Sequence, residues 1–281
     1  MPIQQRNMAT SPSSTAAPSG RSQIHGHGLY WEMLGPATAP AVVLLHHGLG
    51  SVHAWRNQIP ALAEAGFRVL AYDRWGYGRS DPRPALDLPG FETDLGDLDS
   101  LLSEAGITKA ALIGHSDGGT IALHYAARNS GAVTALVTVA AHIYFEPAMI
   151  PGLEGIRRSF ETDARFREGL RRTHGEKAES VFLNWYGGWA RPEHLGWDMR
   201  PLLASVACPT LAVQGELDEH ATPQHARDIA AGVRLGSLWL IPGVHHMPPG
   251  EIPAEFNRRV LEFLAPVLQG RRGQEAGIGA Q

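Results

Sequence analysis

Short apolar runs separated by stretches of helical periodicity restrict this chain to few architectures. The runs are Ala41 to Leu45, Arg68 to Tyr72, Ala110 to Ile113, Ala135 to Val139, Thr210 to Val213 and Ser237 to Ile241. Each has strand length, and helical patterns fall between them at Ala54 to Ala65, Phe91 to Ala105, Gly119 to Arg128 and Pro223 to Gly232. Strands that alternate with helices pair in parallel. Val42, Val43, Leu44 and Leu45 are apolar on both faces, as a strand covered by helices on each side requires. The expected fold is therefore α/β: a mostly parallel, twisted sheet with helices on both faces.

The alternation stops between Phe145 and Leu202, where no convincing strand run appears. This piece reads as a helical cap inserted over the sheet. Its tryptophans, Trp185, Trp189 and Trp197, fit a small core for the insertion as well as a wall facing substrate. The expected organisation is a core in two parts, 23–144 and 203–269, split by a cap at 145–202. Disordered tails are expected at 1–22, rich in Ser, Thr, Ala and Pro, and at 270–281.

Composition removes several functional classes. The chain of 281 residues has 24 Lys plus Arg against 28 Asp plus Glu, so it lacks the basic footprint of a nucleic-acid binder. No apolar signal segment and no run of about 18 apolar residues is present, which predicts a cytoplasmic, unanchored protein. The single Cys208, just before Pro209, cannot form an internal disulfide and reads as a small core hydrophobe. The histidines are scattered, H-E-x-x-H is absent, and neither G-x-x-x-x-G-K-[ST] nor a helix-opening G-x-G-x-x-G occurs. No metal or cofactor is expected, and the expected partner is a small-molecule substrate.

The most informative stretch joins the run ending at Ile113 to a helix-like run through Gly114-His115-Ser116-Asp117-Gly118. That is G-x-S-x-G in strand–turn–helix context. A serine on so tight a turn leaves no room for neighbouring side chains, and Gly114, Gly118 and Gly119 meet the need. At the start of a helix the serine sits at the positive end of the macrodipole, and the amide of Asp117 is free to hold an oxyanion. The Asp117 carboxylate itself is explained by its favourable place in the first helical turn. A second amide should come from the loop after an earlier strand, His47-Gly48-Leu49-Gly50, with Leu49 as the donor. His46 and His47, adjacent on extended chain, are assigned to orienting that loop.

A serine hydroxyl needs a base, and the base an acid to orient it. Downstream, Gln214-Gly215-Glu216-Leu217-Asp218-Glu219 places carboxylates after one strand, and Pro242-Gly243-Val244-His245-His246-Met247 places imidazoles after the next. In open parallel sheets, catalytic groups gather at such carboxyl ends.

With these stretches in order, the chain from about Ile24 to Leu264 resembles the α/β-hydrolase superfamily, triad order Ser, acid, His. Asp73-Arg74-Trp75-Gly76-Tyr77-Gly78-Arg79-Ser80 resembles that superfamily's D-x-x-G-x-G-x-S loop. The resemblance maps the family's acid, three residues after the glycine of G-x-x-D, onto Asp218, leaving Glu216 and Glu219 as neighbours. Its histidine precedes an H-x-x-x-x-E-x-P pattern that His246, Glu251 and Pro253 match, while His245 stands where the family often has Gly. The resemblance implies a serine hydrolase, most simply a carboxylesterase. Ser116 would attack, His246 act as base, Asp218 fix its tautomer, and the amides of Leu49 and Asp117 hold the oxyanion. Haloalkane dehalogenases and epoxide hydrolases of the superfamily carry an aspartate where Ser116 sits, which disfavours those reactions. Carbon–carbon bond hydrolases, lactonases and thioesterases share the triad and remain rivals, as does a ligand receptor built on the same pocket. Cap arginines, Arg157, Arg158, Arg165, Arg167, Arg171, Arg172, Arg191 and Arg200, offer clamps for an acidic substrate.

Overall fold

The computed structural model describes residues 18–278. At its centre lie strands whose side chains are apolar in both directions. In β3 (Ala41–Leu45), Val43 and Leu45 join one apolar cluster while Val42 and Leu44 join the other, so a single run feeds a core on each face of the sheet.

The elements run β1 (Ser19–Ile24), β2 (His27–Leu34), β3, α1 (Gln58–Glu64), β4 (Arg68–Tyr72), α2 (Glu92–Glu104), β5 (Ala110–His115), α3 (Asp117–Arg128) and β6 (Val133–Val139). Then come α4 (Met149–Thr162), α5 (Ala164–His174), α6 (Ala178–Trp189), β7 (Pro209–Gly215), α7 (Gln224–Gly232), β8 (Leu235–Ile241), α8 (Pro248–Glu251) and α9 (Pro253–Ile278). The sheet order is β1-β2-β4-β3-β5-β6-β7-β8. β3 through β8 pair in parallel, and β2 meets both β1 and β4 antiparallel. The sheet is thus mostly parallel with helices about it, as the alternation predicts.

Both expected tails need correction. β1 begins at Ser19, inside the stretch 1–22 read as tail, because a tight turn through His25 and Gly26, at φ 49° and 89°, folds it onto β2. At the other end, α9 continues through Gly270 to Ile278, since each residue added to an existing helix gains one backbone hydrogen bond. The remaining parts of those tails, 1–17 and 279–281, lie outside the described residues.

Between β6 and β7 the chain leaves the sheet for α4, α5, α6 and short 3₁₀ turns. Its one link to strand-like pairing is an isolated bridge between Tyr144 and Asp198, at the base of the insertion.

Candidate active site

β5 ends at His115 and α3 starts at Asp117, so Ser116 must turn the chain alone. It does so at φ 53° and ψ −120°, a conformation that costs a non-glycine residue about 1–3 kcal/mol. Its backbone is held on both sides: the amide donates to the Val139 carbonyl at 2.8 Å, and its carbonyl accepts from the amides of Gly119 and Thr120 at 2.8 and 3.0 Å. The flanking glycines are sterically obligatory. A Cβ at Gly114 would lie 2.2 Å from the Gly118 carbonyl oxygen, and one at Gly118 would lie 2.2 Å from the Leu45 carbonyl oxygen.

The loop after β3 arrives beside this turn. His46 is wholly buried, donates from Nδ1 to the His47 carbonyl at 2.8 Å and accepts the Arg74 amide on Nε2 at 3.0 Å. Burial, with Arg74 adding to it, holds its pKa well below 6.5, so the ring is neutral in one tautomer. His47 donates from Nδ1 to the Gly48 carbonyl and is pushed down to about 4, burial being the main cause. Both rings orient the loop, and His47 also lines the cavity described below. Leu49 then takes φ 60°. Among the described residues the amides of Leu49 and Asp117 have no hydrogen-bond partner.

β7 and β8 deliver the other two groups. Gly215 lets their loops touch, for a Cβ there would meet the Val244 carbonyl oxygen at 2.1 Å. His246 Nδ1 reaches both oxygens of Asp218, at 2.9 and 3.0 Å. Asp218 also accepts from the amide of His220 at 2.9 Å and from Gln214 Nε2 at 3.2 Å. Burial opposes ionisation of this carboxyl, yet the His246 ring, its hydrogen bond and the His220 amide outweigh burial and hold it well below the usual carboxylate range. For His246 burial pushes down, but Asp218 prevails and the pKa is raised above 6.5. His115 Nε2 donates to the His246 carbonyl at 2.8 Å, and Glu251 accepts the amides of His245 and Met247 at 3.0 and 2.8 Å, so the loop is anchored from both sides. His245 points outward, its Nδ1 3.5 Å from Glu219, which separates the two adjacent histidines.

Ser116, His246 and Leu49 open into one cavity of about 420 Å³. Its opposite side is the insertion: Met149, Leu153, Ile156, Phe166, Leu170, Trp185 and Trp189. Trp185 and Trp189 belong to the apolar core as well, with Trp197 packed edge-on against Trp189 at 5.9 Å, so the tryptophans act as core and wall together. Of the insertion's arginines only Arg165 lines the cavity among the described residues; Arg157 and Arg200, for example, pair with Glu154 and Glu161, and with Asp198. Among the described residues no group of three or more His, Cys, Asp or Glu side chains is placed to hold a metal ion, and no helix is long and apolar enough to cross a membrane.

Comparison with known proteins shows the family. A family model described as the alpha/beta hydrolase fold matches residues 40–195. The chain belongs to the alpha/beta hydrolase family. It is 33% identical over 258 residues to the human protein named serine hydrolase BPHL, covering 89% of this chain and 87% of that one. It is 30% identical over 262 residues to a putative carbamate hydrolase, RutD, of Variovorax paradoxus (strain S110), covering 85% and 97%. A solved hydrolase from Pseudomonas aeruginosa superposes with a TM-score of 0.68 at 25% identity, covering 89% and 99%.

Within this hydrolase, side-chain contacts that the sequence does not show complete the site's underside. Asp117 is buried, its Oδ2 3.4 Å from Arg74 Nη2 and its Oδ1 accepting from Trp189 Nε1 at 3.1 Å. Arg74, wholly buried, also meets Asp94 at 3.3 Å and stacks over Tyr77 at 4.5 Å. The helix dipole alone therefore understates Asp117, which ties α3 to α6. Asp73, the first residue of its motif, accepts the amides of Val52 and Arg79 at 2.6 and 2.7 Å. A side chain at Gly78, φ 48°, would collide with it at 2.1 Å.

Proposed function

We propose that this hydrolase cleaves a carboxylic ester, or a closely related acyl bond, of a small molecule through an acyl-enzyme on Ser116. His246 removes the Ser116 proton as Oγ attacks the carbonyl carbon, then returns that proton to the departing alkoxide. Asp218 keeps the imidazole in the tautomer whose other nitrogen faces the cavity. The amides of Leu49 and Asp117 receive the oxyanion, each such donor being worth about 3–4 kcal/mol in transition-state stabilisation. A water activated by the same imidazole then releases the acid. The insertion acts as a cap that walls substrate from solvent.

The observation that carries this reading is the paired Asp218–His246 hydrogen bond at the rim of the cavity into which Ser116 and the Leu49 loop open. The likeness to a putative carbamate hydrolase fits the same acyl step with a different neighbour to the carbonyl.

The test is Ser116→Ala assayed on short-chain p-nitrophenyl esters beside the wild type. Turnover should fall by at least about 10⁴-fold, while thermal unfolding is nearly unchanged. A phosphonate probe should label the wild type on Ser116 and leave the variant unmarked. Ester turnover that survives in the variant contradicts the assignment, and a panel of lactones, carbamates, thioesters and vinylogous diketones ranks the rival bonds.

A further inference from the structure

The wall that the insertion gives the cavity is apolar apart from Arg165 and Thr173, yet two residues around the cavity carry nitrogens that meet nothing. Both ring nitrogens of His142 and Nε1 of Trp185 are buried without a hydrogen-bond partner, and both residues line the cavity. No other cavity-lining residue has such an orphaned buried atom among the described residues. A buried donor or acceptor left unmade costs about 1–3 kcal/mol, a cost removed when an arriving ligand supplies the partner.

Their placement is specific. His142 follows β6, where Ala140 turns at φ 48°, and its carbonyl accepts from Thr120 Oγ1 of α3 at 2.7 Å, which pins it to the helix that Ser116 begins. Its ring is more than nine-tenths buried, lies 6.0 Å from the His246 ring at an interplanar angle of 20°, and meets the Trp189 face edge-on at 5.5 Å. Burial, reinforced by His225 and His246, keeps the ring neutral, so it presents one N–H donor and one bare acceptor. Trp185 presents a donor only, and its Nε1 lies 2.1 Å from where a Cβ on Gly48 would stand, directly beside the Leu49 amide's loop. The two residues therefore set unpartnered polar atoms close behind the cavity surface, beside the Ser116 turn and the Leu49 loop.

We propose that His142 and Trp185 form a recognition subsite that selects esters bearing a hydroxyl or oxo group within a few bonds of the scissile carbonyl over plain aliphatic esters. The inference rests on the serine-esterase reading of the same cavity. A site built to hydrogen-bond a substrate oxygen rejects the analogue lacking it, because the buried partners are then left unpaired. Arg165 at the cavity wall extends the same preference toward oxygen-rich molecules.

The experiment uses matched ester pairs of equal chain length, one pair differing by a hydroxyl on the acyl side and the other by a hydroxyl on the alcohol side. For the wild type, kcat/KM should favour the oxygenated member of at least one pair by tenfold or more. His142→Phe, which keeps an aromatic ring and removes both nitrogens, should cut that ratio at least tenfold, and His142→Gln should restore part of it. Trp185→Phe reads the same ratio independently, and calorimetry on Ser116→Ala should show tighter binding of the oxygenated ester. Equal slowing of both members in His142→Phe would make it a positioning group for His246 and overturn the subsite. Wild-type turnover with no preference in either pair overturns the subsite alone. Absence of turnover of every ester, together with no phosphonate labelling of Ser116, overturns the esterase reading and the subsite with it.

Discussion

At the scale of single residues, the proposed base, His246, has its proton affinity set by Asp218. His115 and His142 show what this interior does to an imidazole with no carboxylate bonded to it: burial drives each well below 6.5. His246, equally enclosed, is raised instead, because the Asp218 carboxylate stabilises its protonated form. A general base works only when deprotonated, so kcat/KM should climb with pH and its acid limb should have a midpoint above 6.5. Asp218→Asn removes the group that raises the pKa, so the limb should move to lower pH while kcat falls by about 10⁴-fold through loss of the correct tautomer. pH–rate profiles of the two proteins check both directions, and a limb that stays in place in the variant contradicts the coupling. His245→Ala should leave the profile as it is, since that side chain faces Glu219 at the surface.

At the scale of elements, the strand–turn–helix around Ser116 is possible only where neighbouring backbones approach without side chains. Gly118→Ala would put a methyl 2.2 Å from the Leu45 carbonyl oxygen, against backbone that cannot step aside. We expect a loss of at least about 2 kcal/mol, seen as a lower urea midpoint. Gly155, within α4, meets nothing within 4 Å, so Gly155→Ala should gain up to about 1 kcal/mol from helix propensity. The same physics explains what the sequence discloses. Central strands such as β3, β5 and β7 bury both faces and print as apolar runs, and the loops after β5 and β7 carry Ser116 and Asp218, while His246 follows the exposed edge strand β8, whose end is still an apolar run. β1, Ser-Gly-Arg-Ser-Gln-Ile, is an edge strand with one neighbour and carries no apolar alternation, which is why it reads as tail. Arg74 stands beside a recognisable motif, but its partners Asp94 and Asp117 are 20 and 43 residues away, so its role exists only in three dimensions. His142 is mute in the sequence for the same reason.

At the scale of the whole molecule, one fastening of the insertion to the core is a ring that must stay uncharged. His174, at the end of α5, accepts the Gly78 amide on Nδ1 at 2.9 Å and donates from Nε2 to the Leu49 carbonyl at 3.0 Å, joining the insertion to the Asp73 motif and the Leu49 loop at once. Burial pushes it down to about 4, and His47, His124 and His220 are pushed to about 4 in the same way. In the unfolded chain each returns to about 6.5. Their contribution to stability is therefore complete above pH 6.5 and lost as pH falls toward 4, while the unfolded chain takes up protons that the folded one refuses. Each such proton steepens the dependence by about 1.4 kcal/mol per pH unit, so four together give on the order of 5 kcal/mol per unit near pH 5. His246 runs the other way, since its raised pKa favours the folded state below 6.5, and the raised carboxyls of Asp73, Asp97 and Asp117 oppose the loss lower in the range. Against a total stability of about 5–15 kcal/mol, the histidines prevail. The urea midpoint should fall steeply between pH 6.5 and 4.5, below the activity limb expected of the proposed base His246. A midpoint that stays flat across that interval would mean these rings accept protons in place, and the neutral fastening of insertion to core would be wrong.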